Sequence, residues 1–205
     1  MKAQRGRFIS FEGGEGAGKS TVIAHARAWL EQQGRGVVLT REPGGTPLGE
    51  EVRQLLLAPR PGGMAADTEL LLMYAARAEH VHQVIEPALA SGDWVLSDRF
   101  NDASFAYQGG GRGMEAARIR QLDDWVLAGF RPDLTLLLDI PPSTGLARAR
   151  VRGVADRFEQ EKLDFFERVR AAYRARAAQE PDRFRILDAS RPLDQVLQQL
   201  ETALS

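Results

Sequence analysis

The stretch Phe8 to Ser20, FISFEGGEGAGKS, constrains this chain more than any other. An apolar run of Phe8, Ile9 and Phe11 passes into Gly13, Gly14, Glu15, Gly16, Ala17, Gly18, Lys19 and Ser20. A helical pattern follows through Val22, Ile23, Ala26, Trp29 and Leu30. Strand, glycine loop and helix at G-x-x-x-x-G-K-[ST] spacing make a phosphate-binding loop. Glycines let successive backbone N–H groups turn inward around phosphate oxygens, and the helix adds the positive end of its dipole. Lys19 brings a point charge to the β- and γ-phosphates, and the Ser20 hydroxyl is placed to ligate Mg²⁺. An ordinary glycine-rich strand-to-helix turn is the bland alternative. The flanking strand and helix are what the mechanism needs.

Five apolar, β-rich runs recur at Phe8–Phe11, Val37–Thr40, Trp94–Ser97, Leu134–Leu138 and Phe184–Leu187, with helical patterns between them. Strands alternating with helices predict an α/β fold: a five-stranded parallel sheet with helices on both faces, in three layers. No linker or repeat interrupts residues 1–205, so one domain is expected. The formal net charge of −1 gives no broad field for nucleic acid or an anionic membrane. No apolar stretch reaches membrane-spanning length. The absence of cysteine excludes disulfides and suits a reducing cytosol, so a cytoplasmic location is expected. Lysine occurs only at positions 2, 19 and 162 while arginine is abundant, so an arginine needs context before it suggests a role.

After the second strand, Arg41-Glu42-Pro43-Gly44-Gly45 reads as a loop at the carboxyl end of the sheet, where open α/β folds place ligands. A helix follows from about Leu48 to Leu57. A longer one, capped by Asp67 or Thr68, runs through Val84 and puts Tyr74 and Arg77 on one face. Core tyrosine beside a solvated arginine is an equal reading there. The third strand ends in Asp98-Arg99: a carboxylate for a Mg²⁺ site and a phosphate clamp, or a simple strand-end ion pair. Asn101 to Gly113 reads as a flexible loop offering Ser104, Tyr107 and Gln108 for hydrogen bonds. A helix over Glu115–Ala128 follows. Pro141-Pro142 then opens a helix leading to Arg148, Arg150, Arg152 and Arg157, either a mobile lid over a triphosphate at about 148–159 or a solvated helix end. His25, His80 and His82 read as helix-surface residues.

These motifs, in order, resemble bacterial thymidylate kinases: EGGEGAGKS, TREPGG at Thr40–Gly45, YAARAEH at Tyr74–His80, SDRF at Ser97–Phe100, AYQGGGRG at Ala106–Gly113 and RPDLTLLLD at Arg131–Asp139. The resemblance spans essentially the whole chain. It implies a P-loop NTPase-type fold, ATP as phosphoryl donor with Mg²⁺, dTMP as acceptor, and a homodimer. Gly13 to Ser20 together with Thr21 would hold the ATP phosphates, with Arg148 a further donor contact and Ser20 and Asp98 at the metal. Glu15 would face the acceptor's sugar hydroxyl and the metal region. Arg41 and Arg99 would hold the acceptor phosphate, Arg77 the thymine ring with Tyr74 beside it, Tyr107 the deoxyribose, and Ser104 and Gln108 the base edge. Phe100 stands where the family often has a polar ring. Gly16 fills a slot that in some members carries an arginine, so the catalytic arginines would come from the lid as Arg152 and Arg157, with Lys19, Arg99 and Glu15 completing the set and Arg150 left at the surface.

An acceptor phosphate with its second pKa near 6 is mostly dianionic at neutral pH, so its oxygen attacks without a general base. Positioning two polyanions and spreading charge is then the main task. Another nucleoside monophosphate kinase is the nearest rival reading. A nucleotide-binding regulator without turnover is a more distant one.

Overall fold

The computed structural model describes residues 5–150, 157, 158 and 161–205, with the Arg150 side chain outside that description. All five predicted strands are present, each one residue longer than its apolar run: β1 Phe8–Glu12, β2 Val37–Arg41, β3 Trp94–Asp98, β4 Leu134–Asp139 and β5 Phe184–Asp188. Every added residue is charged. Each strand therefore ends by delivering Glu12, Arg41, Asp98, Asp139 or Asp188 to the carboxyl edge of the sheet.

The strands are parallel and ordered β2-β3-β1-β4-β5. β1 sits centrally between β3 and β4, so the chain leaves β1 at the point where the strand order turns, and there a crevice opens. Ile9 and Phe11 of β1 and Leu134, Leu136 and Leu138 of β4 pack under helices α1 (Lys19–Gln32) and α9 (Leu193–Leu204). Phe8, Ser10 and Glu12 alternate onto the opposite face, as strand pleating requires. There Ser10 and Thr135 share a buried hydrogen bond of 3.0 Å.

That second face carries the remaining helices. Helices α2 (Pro47–Leu57) and α3 (Ala66–His80) follow β2, and α3 runs through a π-helical turn at Val81–Ile85 into α4 (Glu86–Ala90). Thr46 caps α2, its Oγ1 accepting from Gly49 N at 2.9 Å with Pro47 opening the helix. Asp67 lies in the first turn of α3 rather than capping it. After β4 come α7 (Pro142–Arg150) and α8 (Leu163–Gln179), the latter burying Phe165, Phe166, Val169 and Tyr173.

A larger expectation fails as well. Asn101 to Gly113 is not a loop: α5 (Asn101–Ser104) continues as a π-helical segment over Phe105–Gly111, and α6 (Ala116–Leu127) follows. The glycines there serve close packing rather than freedom. A Cβ on Gly110 would stand 2.6 Å from Ala172 Cβ and 2.8 Å from Arg168 O, and one on Gly111 2.5 Å from the Phe165 ring. Such contacts let the segment lie directly on α8.

Candidate functional site

The crevice is a cleft of about 270 Å³ at the carboxyl edge of β1, β2 and β3. Its floor is the glycine loop. Gly16 takes φ 68°, and a Cβ there would run into the Gly145 carbonyl of α7, so the slot is closed to any larger residue. Helix α1 begins after Gly18 with no side-chain cap and no acidic residue in its first turn. Its first N–H groups are left for an anion. Lys19 is buried, with Nζ 3.3 Å from Gly13 O, 3.4 Å from Gly14 O and 3.9 Å from Asp98 Oδ1. Burial first, and then the charge of Arg99, hold its pKa below the ordinary lysine value. Ser20 and Thr21 are exposed, Ser20 on the cleft wall.

The strand-end carboxylates differ in what they can still accept. Asp139 receives Arg170 at 2.7 Å and Arg174 at 2.8 Å, and Asp188 receives Arg191 at 3.0 Å. Buried Glu12 accepts from Phe100 N and from the Tyr173 hydroxyl, each at 2.7 Å. Asp98 Oδ1 is buried and accepts no hydrogen bond among the described residues, its nearest cation being Lys19. A carboxylate oxygen left in this way beside a phosphate loop suits a bound cation.

Arg99 occupies the left-handed backbone region at φ 72°, held by Arg99 N donating to Phe11 O at 3.0 Å and Ser97 Oγ donating to Arg99 O at 2.7 Å. For a residue with a Cβ this conformation is costly, and strain of that kind concentrates at functional positions. It turns the guanidinium back over the loop, where Nη1 reaches Gly13 O at 2.8 Å and Nη2 reaches Glu15 Oε1 at 2.6 Å. The Tyr107 hydroxyl donates to the same Glu15 oxygen at 2.9 Å, and its ring lies under the Arg99 guanidinium at 4.8 Å. Glu15, Arg99 and Tyr107 thus form one corner of the cleft.

Arg77 forms the opposite wall and is almost fully buried. Its Nε donates to Glu42 Oε2 at 2.7 Å, Nη1 to Ser104 Oγ at 3.1 Å and Nη2 to Phe100 O at 3.2 Å. Burial works against its charge, but the Glu42 carboxylate outweighs it and raises the pKa above the ordinary arginine value. Glu42 Oε1 also pairs with His80 Nδ1 at 3.0 Å, and His80 Nε2 meets Thr40 Oγ1 at 2.5 Å. His80 is therefore fully buried, not a surface histidine, because it backs the carboxylate that aims Arg77. Tyr74 is also displaced from its expected place. It packs with Leu70, Phe105 and Ile119, its hydroxyl donates to Asp123 at 2.9 Å, and it touches Arg77 only from behind, at 4.5 Å. The neighbouring Met73 lines the cleft instead.

Arg53 of α2 lines the cleft as well, and nothing in the sequence around it had singled it out. Its Nη1 donates to Pro43 O at 2.9 Å, in the loop that leaves β2. Burial, then the nearby charge of Arg41, lower its pKa. Arg41 itself is half exposed and clamped by Glu50 at 2.8 Å. Five cations thus face one volume, Lys19, Arg41, Arg53 and Arg99 together and Arg77 from the far wall. Gln108 and Ser104, one helical turn apart, complete the wall near Arg77.

Of the arginines expected in a lid, Arg152 lies outside the described residues, as does the Arg150 side chain. Arg148 donates to Ala189 O at 3.1 Å, beyond the end of β5. Arg157 does not line the cleft. Its Nε donates to Leu56 O at 2.8 Å and its Nη2 lies 2.6 Å from Glu69 Oε2, while the adjacent Phe158 reaches the cleft wall.

Comparison with known proteins gives consistent matches over nearly the full length. A family model described as thymidylate kinase matches residues 11–200. A thymidylate kinase of Alkalilimnicola ehrlichii is 58% identical over 202 residues, covering 98% of this chain and 93% of the relative. One of Pseudomonas putida strain W619 is 59% identical over 197 residues, covering 96% and 95%. The crystal structure of a thymidylate kinase from Ehrlichia chaffeensis superposes with a TM-score of 0.78 at 33% identity, covering 98% of this chain and 99% of that one.

Proposed function

The chain belongs to the thymidylate kinase family, and from that premise we propose how its residues divide the transfer of the ATP γ-phosphoryl group to dTMP. The observation that carries the reading is the convergence of Lys19, Arg41, Arg53 and Arg99 on one cleft, with Arg77 and Gln108 at its far wall. Cations gathered at that cost in mutual repulsion are arranged for a ligand of high negative charge.

The glycine loop and the start of α1 hold the donor phosphates, with Lys19 at the β- and γ-groups. Arg41, Arg53 and Arg99 hold the acceptor phosphate. Its dianionic oxygen attacks the γ-phosphorus, a new P–O bond forms, the bond to the β-phosphate bridging oxygen breaks, and ADP leaves with that electron pair. Glu15, fixed by Arg99 and Tyr107, faces the sugar. Met73 supplies the apolar wall for the base, with Arg77 and Ser104 at its edge and Tyr74 as backing for Arg77.

Ser20 and Asp98 are the residues that would hold Mg²⁺. The described residues contain no group of three or more metal-ligating side chains, which suits an ion carried mostly by phosphate oxygens and water. Held there, it would supply positive charge against the negative charge that develops on the transferring phosphoryl group.

The remaining parts of the proposal rest on surface and topology. Residues 1–205 act as one domain, and 148–159 as a lid bringing Arg152 and Arg157 toward the donor. Leu48 and Leu55 of α2 and Leu71 of α3 are about half exposed, an apolar face suited to a homodimer, with Leu71 rather than Leu72 outward. Among the described residues no helix is long and apolar enough to cross a membrane, which fits a cytoplasmic location.

An ADP-release assay with dTMP, dUMP, dGMP, dCMP and AMP tests the whole. dTMP is expected to be the best acceptor, and Lys19→Ala to fold while losing nearly all transfer. Preference for another monophosphate would select a different kinase specificity. ATP binding without transfer to any acceptor would make the chain a non-catalytic regulator.

A further inference from the structure

Glu69 is a fully buried carboxylate on α3 that none of the roles above uses. Its Oε1 accepts from Gln108 Nε2 at 2.8 Å and lies 3.5 Å from Arg112 Nε, while Oε2 lies 2.6 Å from Arg157 Nη2. A carboxylate that gathers donors can only accept, so it dictates the orientation of any amide it meets. Gln108 must turn its NH₂ to Glu69, because the reverse orientation would set carbonyl oxygen against carboxylate.

We infer that Glu69 is a specificity-determining residue that fixes the Gln108 amide so that its carbonyl oxygen, and not its NH₂ group, reads the acceptor base. Gln108 lines the cleft, and its Oε1 accepts no hydrogen bond among the described residues. Beside it stands Arg77, whose guanidinium has five N–H groups and commits three of them, to Glu42, Ser104 and Phe100. The wall therefore offers a donor next to an acceptor. Thymine presents the complement, a carbonyl oxygen at C4 next to an N3–H. Cytosine presents the inverse, an amino group next to a bare ring nitrogen. With the amide locked, cytosine sets lone pair against lone pair and amino group against guanidinium. Sites built this way reject a mismatched edge far more strongly than an apolar pocket rejects a methyl group. The inference rests on dTMP being the acceptor in this cleft and says how its edge is told from a cytosine's.

The test uses Glu69→Gln, which keeps shape but presents an amide that can accept or donate. Gln108 is then free to turn, and its NH₂ can meet the cytosine ring nitrogen. Inhibition of dTMP phosphorylation by dCMP should strengthen by about tenfold in the variant. The dUMP to dTMP ratio of kcat/KM should stay put, since both share one edge. Loss of the Arg157 contact would slow all acceptors together, so absolute rates do not decide the matter. Glu69→Asp keeps an acceptor but shortens its reach, and should show the same change in smaller measure; it serves if Glu69→Gln does not fold. Unchanged dCMP inhibition in the folded variants overturns the inference and leaves dTMP as acceptor. A wild-type chain that prefers another acceptor overturns the premise instead.

Discussion

Arg99 Nη2 lies 2.6 Å from Glu15 Oε1, and Arg99 reaches that carboxylate from a backbone twisted to φ 72°. The conformation costs about 1–3 kcal/mol for a residue bearing a Cβ. Two substitutions separate strain from chemistry. Arg99→Ala and Arg99→Gly should both cut kcat/KM for every monophosphate acceptor alike, because a phosphate contact carries no base information. Arg99→Gly should nevertheless unfold at higher denaturant than Arg99→Ala, since glycine enters the left-handed region freely. Equal denaturation midpoints would show that the twist stores no strain.

Arg53 tests whether the gathered cations serve binding or stability. Its one hydrogen bond among the described residues goes to Pro43 O, while burial and Arg41 oppose its charge. Arg53→Ala should raise KM for dTMP about tenfold to a hundredfold, the value of a charged hydrogen bond of about 1.5–3 kcal/mol. The thermal midpoint should move little, because relief of repulsion offsets the lost contact. A large drop in midpoint with unchanged KM would make Arg53 a structural residue.

Gly110 and Gly111 should resist substitution for steric reasons. Alanine at either must push against Arg168, Ala172 or the Phe165 ring, at about 1–3 kcal/mol of overpacking. Gly109→Ala meets Ile119 Cδ1 at 3.2 Å, a flexible side-chain end, and Met114 O at an ordinary contact distance of 3.9 Å, and should be milder. Urea midpoints for the three variants check the ordering. A uniform loss would point instead to backbone freedom as the reason for all three glycines.

That glycine run also shows what the sequence could and could not disclose. The five strands were legible because apolar runs of that length bounded by turn residues have few other uses, and the glycine loop because its spacing follows from phosphate geometry. Asn101–Gly113 misled because close helix packing and loop flexibility call on the same residue. His80 misled because helical spacing marks a face without saying what covers it. Tyr74 and Met73 adjoin in sequence yet face different volumes, and a resemblance on YAAR does not resolve a rotation of one residue. Arg53 and Glu69 carry no local signal at all. Their meaning arises only when Pro43, Arg41, Gln108 and Arg157 are brought to them by the fold.

Glu12 offers a test by pH. It is fully buried at the end of β1, and burial, reinforced by the charge of Asp102, pushes its pKa up to about 8 against the pull of Tyr173, Arg99 and Phe100 N. A carboxyl with its folded pKa above its unfolded value binds more protons when folded. Its contribution to stability is therefore greatest below about pH 4.5 and declines as pH rises toward 8. Glu12→Gln removes that titration while keeping an acceptor for Phe100 N, and its amide can still meet the Tyr173 hydroxyl. The stability of Glu12→Gln relative to wild type should therefore increase steadily from pH 5 to pH 8.5, measured by chemical denaturation at each pH. A difference that stays flat across that range would mean that Glu12 ionises at an ordinary pH and that the Tyr173 and Phe100 hydrogen bonds, with Arg99, fully compensate its burial.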